Sequence, residues 1–271
     1  MREAGHTFLA RMGKKRLRPG GRTGTEWLLA KGGFSSGTRV LEAACNMGTT
    51  AIELARRFGC SVTACDLDES ALEKAEKNVR NAGLTDTITL HHADATALPF
   101  AAESFDVVLN EAMLTMLPRS RKEQAAASYH RVLKPGGVLL THDVALVERS
   151  PEERRRICRE LSDAINVPVS PLSMDEWVTL FMEAGFSAPE HLAGPMTLMS
   201  MSGMVYDEGF GNALRVAFNG MKSRNRPMFL GMRKIFMKRE LQLGFIVVAS
   251  RKEKGGVLRE LPAATRGKQG A

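Results

Sequence analysis

Short aliphatic and β-branched runs recur along the first half of the chain, at 38–42, 61–65, 87–91, 105–109 and 137–142. Segments 48–58 and 69–82 space their apolar residues at i, i+3 and i+4, which predicts helices that each lay one stripe against a sheet. Residues 24–31 predict a further helix, with Trp27 and Leu28 toward the sheet. Strands alternating with helices form parallel βαβ units, because a parallel neighbour is reached only through a crossover. The predicted class is therefore α/β. Three later helix starts are legible as Ser120 with Glu123, Ser150 with Pro151 and Glu153, and Ser173 with Glu176. No internal repeat or Gly/Ser linker divides the chain.

The most informative stretch is TRVLEAACNMGTTAIELARRFGCSVTACDLD, residues 38–68. An apolar strand ends on Glu42, a tight turn passes through Ala44, Asn46 and Gly48, a helix follows, and a second strand ends on Asp66. Small turn residues let a ligand approach the backbone, and a helix N-terminus offers unpaired N–H groups. An acidic residue about 20 positions on, at the next strand end, is placed to accept hydrogen bonds from ribose hydroxyls. The pattern describes a nucleoside-bearing cofactor across the strand ends. Its alternative is a turn that serves packing alone.

The spacing is not the G-x-G-x-x-G of dinucleotide sites. Glu42, Ala44, Asn46 and Gly48 lie two apart, which resembles the E/D-x-G-x-G-x-G motif of class I S-adenosylmethionine (SAM)-dependent methyltransferases, with two glycines replaced. Ala44 is the smallest substitute, and Asn is among the few residues that tolerate a left-handed backbone. HHADATALPF (91–100), FDVVLNEAMLTML (105–117) and VLKPGGVLLTHD (132–143) are similar to later blocks of that family, in its order. The resemblance is to the small-molecule branch (methyltransferase type 11-like), with its quinone, sterol and amine methyltransferases. It implies a Rossmann-like, doubly wound, mostly parallel seven-stranded sheet with helices on both faces. It also implies SAM as donor, S-adenosylhomocysteine (SAH) as product, and cofactor contacts from Glu42, Ala44, Asn46, Gly48, Asp66, Leu67, Asp94, Ala95 and Asn110. In that scheme Asp66 takes the ribose hydroxyls, Asp94 the adenine amino group and the Ala95 amide the ring edge.

Members of the family close the sheet with an antiparallel hairpin, for which 188–194 and 241–250 are the candidates. The intervening 196–240, rich in Met and basic residues, reads as two helices broken near Asn225–Pro227. This helical insertion before the last strand is a lid or acceptor pocket, or else a packing or dimerisation arm. Met199, Met201, Met204 and Phe210 are its candidates for an apolar wall, and Arg224 and Arg226 for an anionic group. The chain thus divides into a basic N-terminal segment and helix (1–37), a cofactor core (38–195), the insertion (196–240), a final strand (241–250) and a basic tail (251–271) expected to be mobile.

With 271 residues, 44% hydrophobic and 25% charged, the chain can bury one α/β core and an appended subdomain. No apolar run is long enough to span a bilayer and the N-terminus lacks a secretory pattern, so a cytoplasmic location is expected. Cys45, Cys60, Cys65 and Cys158 lack zinc-ligand spacing and read as reduced thiols. The net charge of +8 is unevenly spread. Residues 1–31 carry eight Lys and Arg against two acidic residues, 32–195 carry 16 against 23, 196–240 carry eight against three, and 251–271 carry six against two. Either the flanks draw an anionic or nucleic-acid partner, or they pair with the acidic core.

Methyl transfer needs donor and acceptor held in line, water excluded and, for an O–H or N–H acceptor, a base. Histidine ordinarily titrates near neutrality, which makes His142, at the end of the fifth strand, the natural base. Glu111 is a second catalytic candidate, or a group that binds a substrate ammonium or orients a helix. Lys15 and Arg18, before the Pro19-Gly20-Gly21 turn, suit a segment folding over a carboxylate or anionic acceptor. His91 and His92 point to opposite strand faces, and no metal is expected. The N/D-P-P-Y and Pro-Cys signatures of nucleic-acid base methyltransferases are absent, and two Trp and two Tyr offer few stacking platforms. The expected activity is methyl transfer to a small organic acceptor, with a homodimer left open. Its rivals are an RNA or other anionic-macromolecule methyltransferase, a non-catalytic SAM/SAH-binding protein and, more remotely, a dinucleotide oxidoreductase.

Overall fold

Consecutive side chains of a strand point to opposite faces, and the core divides accordingly. Val40 of β1 (Arg39–Ala43), Val107 of β4 (Phe105–Glu111) and Leu140 of β5 (Leu133–Leu146) enter one cluster, while Leu41, Val108 and Leu139 enter the other. The first cluster is covered by Leu28 of α2 (Gly21–Lys31), Leu54 of α3 (Thr49–Phe58) and Val79 of α4 (Glu69–Ala82). Tyr129 of α5 (Arg119–Val132) and Trp177, Leu180 and Phe181 of α7 (Met174–Glu183) cover the second. Near-continuous apolar strands buried on both faces are what a parallel sheet between two helical layers requires.

The computed structural model describes residues 3–14, 17–147, 150–187, 189–237 and 243–254. With β2 (Ser61–Asp66), β3 (Ile88–His92), β7 (Glu190–Pro195) and β8 (Leu243–Arg251), the sheet order is β3-β2-β1-β4-β5-β8-β7. The first five strands run parallel, and β8 is antiparallel to both β5 and β7. A two-residue β6 (Leu172–Ser173) pairs with the end of β5. This is the doubly wound, mostly parallel arrangement expected.

A third apolar cluster caps the carboxyl ends of the strands. It joins Phe8, Leu9 and Met12 of α1 (Gly5–Met12) and Ile157 and Leu161 of α6 (Pro151–Ile165) to Met199, Met204, Val216, Phe229 and Met232. The last four of these lie on α8 (Met201–Glu208), α9 (Phe210–Met221) and α10 (Arg226–Phe236).

The structure departs from the sequence reading in four places. Helix α1 was not predicted, and its apolar face finds its partners almost entirely in distant parts of the chain. The insertion holds three helices among the described residues, because Gly209 adopts φ 76, ψ 156, a conformation essentially reserved for glycine, between α8 and α9. Pro118 rather than Ser120 caps α5, whereas Ser150 caps α6 and Ser173 and Glu176 form the complete capping box of α7. Strand β5 runs well past the expected 137–142, since β8 pairs with it from Val138 to Leu146. The tail beyond residue 254 and Lys15 lie outside the described residues.

Candidate active site

β1 pairs with β2 on one side and β4 on the other, so the connections leaving their carboxyl ends part and open a crevice. A cavity of about 480 Å³ occupies it, lined by Glu42, Ala44, Asn46, Asp66, Leu67 and Glu111 together with His6, Arg18, Thr50 and Met113. That volume is in the range of small-molecule sites.

The turn after β1 keeps a glycine-type backbone without the glycines. Ala44 has φ 59, Asn46 φ 49 and Gly48 φ 71. Ala112, on the opposite wall at the end of β4, has φ 55. Three of the five non-glycine residues with positive φ among the described residues therefore line this cavity, and such strain is held where the surroundings over-determine it. The conformation turns the Asn46 N–H toward the Asp66 carboxylate, at 2.8 Å from Oδ2, while the Asp68 N–H meets Oδ1 at 3.0 Å. Asp66 is thereby fixed with its remaining lone pairs free to accept. Gly48 does not line the cavity; it begins α3, and a Cβ there would lie 3.3 Å from Ala75 on α4.

Beneath the turn lies a buried network. Arg18 Nε is 2.7 Å from Glu111 Oε2, with both side chains over nine-tenths buried. Arg18 also donates to Thr25 Oγ1 at 2.7 Å and to Thr50, and Thr50 Oγ1 donates to Glu111 Oε2 at 2.9 Å. Burial alone would raise the Glu111 pKa, but the Arg18 charge, the neighbouring His142 ring and a hydrogen bond from Thr50 bring it below the ordinary carboxylate value. Glu42 is the reverse case. Desolvation, then the charge of Glu111, pushes it up to about 8, and its Oε2 is buried without a partner. The folded chain thus keeps a proton on Glu42 that the unfolded chain loses near 4.5, so the contribution of Glu42 to stability is fullest at low pH and declines as pH rises toward 8. Glu42→Gln should flatten this decline between pH 5 and 8, measured by chemical denaturation. An unchanged slope would show that Glu42 is not the group responsible.

His142 is fully buried and does not line the cavity. Its Nε2 accepts a hydrogen bond from the Gly20 N–H at 3.0 Å, and Nδ1 faces Glu111 Oε1 at 3.4 Å. Helix α2 seals it so closely that a Cβ on Gly24 would stand 2.6 Å from the ring. This corrects the expectation that His142 presents a free base to the acceptor. Asn110 is also buried away from the cavity, donating to Thr141 Oγ1 at 2.9 Å. Asp94 and Ala95 follow β3 outside the cavity lining, with the Asp94 carboxylate bound to Arg121 at 2.5 Å and to Thr96 at 2.8 Å.

A second, apolar cavity of about 70 Å³ lies under the cap. Its wall includes Leu9, Leu161, Ile165, Met196, Leu198 and Met232, with Asp143 and Thr115 as polar edges. The insertion therefore faces this cavity, but not through the expected residues: Met199 and Met204 are packed in the cap core, and Met201 and Phe210 are exposed. His6, Leu17, Ala112 and Met116 line both cavities. His6 was missed because nothing in its sequence neighbourhood marks it; only the folding of α1 across the strand ends brings it there. Burial lowers its pKa, partly offset by the charges of Asp66 and Asp68, and its Nδ1 is buried without a partner.

Four acidic side chains, Glu42, Asp66, Asp68 and Glu111, line the larger cavity; Glu42 is held protonated and Arg18 balances Glu111, which leaves Asp66 and Asp68 to set its charge. The site therefore fits a nucleoside that carries positive charge better than a phosphate-rich dinucleotide.

A family model described as a methyltransferase domain matches residues 40–137. An uncharacterized protein of Haemophilus influenzae is 52% identical over 250 residues, which cover 92% of this chain and 98% of that one. The 27-O-demethylrifamycin SV methyltransferase of Amycolatopsis mediterranei is 29% identical over 218 residues, covering 80% of this chain and 78% of its own. In fold, the chain is similar to a Streptomyces coelicolor geranyl diphosphate C-methyltransferase solved with S-adenosyl-L-homocysteine, at TM-score 0.65 and 14% identity over 85% of this chain and 80% of that one.

Proposed function

The chain belongs to the class I SAM-dependent methyltransferase family, and we propose that it methylates a small, largely apolar organic acceptor seated beneath the helical cap. Asp66 would accept from the ribose hydroxyls, Leu67 would lie against the nucleoside, and the 44–48 turn would meet the amino-acid end with backbone groups. When bound, SAM supplies an electrophilic methyl group on a sulfonium. Everything else falls to this chain: orienting the acceptor, keeping water out and removing a proton.

The observation that carries the reading is the shared wall of the two cavities, where His6, Leu17, Ala112 and Met116 face both. An apolar chamber that adjoins the larger cavity along this shared wall would bring the acceptor up to the donor's methyl group, in line and with no side chain between them. At about 70 Å³ this chamber seats only the reacting end of an acceptor, and its Leu, Ile and Met lining favours an apolar one and excludes water from a nucleophile that must be desolvated. His6, at the junction and with a lowered pKa, is the group placed to accept a proton. Glu111 and His142 act as positioning residues, holding Arg18 and the Gly20 turn against the cavity.

Two variants test this reading in separate ways. Asp66→Ala should weaken SAH binding by about 10- to 100-fold, or roughly 1.5–3 kcal/mol, as measured by calorimetry. Leu198→Phe should leave SAH affinity within about threefold. It should nevertheless cut transfer from methyl-labelled SAM by about tenfold or more, in a screen of apolar phenols, enols and amines. Unchanged SAH affinity in folded Asp66→Ala would remove Asp66 from the cofactor site. Undiminished transfer in Leu198→Phe would move the acceptor out of the apolar cavity.

A further inference from the structure

The outer surface of the cap has a composition that neither cavity explains. Helix α9 buries Ala213, Val216 and Gly220 and exposes Phe210, Leu214, Phe218 and Met221. These four stand at i, i+4, i+8 and i+11, one continuous stripe along the helix. Phe210 is 68% and Phe218 70% exposed, far more than single apolar residues at the edge of a core. Met201, Val205 and Tyr206 on α8 extend the patch.

Among the described residues of 196–237 the exposed charges are all of one sign. Arg215, Lys222, Arg224, Arg226 and Lys234 are exposed, and the Lys222 ammonium stands 5.4 Å over the Phe218 ring. The acidic residues between 196 and 237 are Asp207 and Glu208. Both carboxylates are turned inward, 3.9 and 3.7 Å from Lys14 Nζ, with side chains 1% exposed. The described surface of this segment therefore combines an apolar stripe with five cations and no exposed carboxylate.

We propose that this face docks on an anionic phospholipid surface, with Phe210, Leu214 and Phe218 entering the headgroup–acyl boundary and the flanking cations meeting lipid phosphates. A second copy of the chain joined through the same patch would set like charges against each other. Single-stranded RNA would satisfy the cations and stack on Phe, but it gains nothing from Leu214 and Met221. A lipid surface uses both halves of the patch. The stripe is also anchored beside the apolar cavity. Asn212 and Asn219 of α9 donate to the Gly13 and Met12 carbonyls at 2.9 and 3.1 Å, at the end of the helix that carries His6 and Leu9 into that cavity. The docking claim does not depend on the acceptor reading.

Co-sedimentation of the full chain tests it, with large unilamellar vesicles of phosphatidylcholine alone and of phosphatidylcholine with one-quarter phosphatidylglycerol. Binding should be about tenfold or more tighter to the anionic vesicles and weaken with salt. Phe210→Ser/Phe218→Ser should lose about tenfold of that binding, and Lys222→Glu/Arg226→Glu should lose the preference for phosphatidylglycerol. SAH affinity should stay unchanged in both, which verifies their fold independently of lipid. Equal binding to both vesicle types, or no binding, overturns the proposal. So does wild-type vesicle binding by the Phe pair together with a gel shift of a single-stranded oligoribonucleotide that only the charge-reversed pair loses, which marks a polyanion site. A dimer dissolved by the Phe pair in sedimentation equilibrium, without vesicle binding, overturns it in favour of a copy–copy interface.

Discussion

Arg18→Met should lower folding stability by about 3–5 kcal/mol at neutral pH, the cost of leaving a buried charge without its partner. Arg18 and Glu111 meet at 2.7 Å with both side chains more than nine-tenths buried, and Glu42 sits in the same cavity floor. Without the guanidinium, Glu111 keeps its desolvation and gains no compensating cation. The sign of the pH dependence should change with it. In the native chain the Glu111 pKa lies below its ordinary value, so its contribution is present above the unfolded pKa and is lost as pH falls through the folded one. In Arg18→Met the folded-state pKa should rise above the unfolded value, so that the contribution is present at low pH and lost as pH rises. Chemical denaturation at pH 5 and 7.5 measures both effects. Arg18→Met/Glu111→Gln should recover most of the loss at pH 7.5. A loss below about 1 kcal/mol, or no coupling in the double-mutant cycle, would show that water solvates Glu111 and that the pair is not sealed.

The order of strands and helices between residues 21 and 143 was legible because apolar period and turn residues agree there. Val40/Leu41, Val107/Val108 and Leu139/Leu140 are apolar at adjacent positions, which only a sheet buried on both faces needs. The cap was less legible, because its stability is tertiary. GHTFLARM is too short to be a stable helix alone, and α1 finds its partners in the distant α9 and α6. Gly209 could have marked the third helix of the insertion, but a glycine within an apolar helical pattern is also tolerated as an interior residue.

The cofactor turn could be read from spacing alone, and the structure supplies its reason in the left-handed Ala44, Asn46 and Gly48. The catalytic expectation failed at His142 for a reason that the strand pattern cannot express. His142 lies within β5, which continues to Leu146, rather than at its end, and Gly20, just before α2, and Gly24 within it bring backbone against the imidazole. Glu111, the adjacent residue in register across β4 and β5, reaches the cavity instead. Asp94 is placed at its strand end as expected, but Arg121 from α5 holds its carboxylate, a contact that no local pattern foretells.

Loss of His6 should be the largest effect on turnover of any single side chain outside the cofactor contacts. It lines both cavities, its Nδ1 has no partner, and desolvation favours the neutral ring that can take a proton. A positioned base typically contributes about 100- to 10,000-fold to rate. His6→Asn keeps a polar group of similar size but cannot be protonated. With the acceptor found in the labelled-donor screen, kcat should fall by about 100-fold or more while SAH affinity stays within about threefold. The acid limb of the wild-type pH–rate profile should be absent from the variant, because that limb reports protonation of the imidazole. NMR titration of the free protein should place the His6 pKa below the ordinary histidine value of 6.5, in the direction that burial imposes. A His6→Asn enzyme with wild-type kcat and an intact acid limb would assign the proton elsewhere, and Asp143 at the polar edge of the apolar cavity would be the next group to replace.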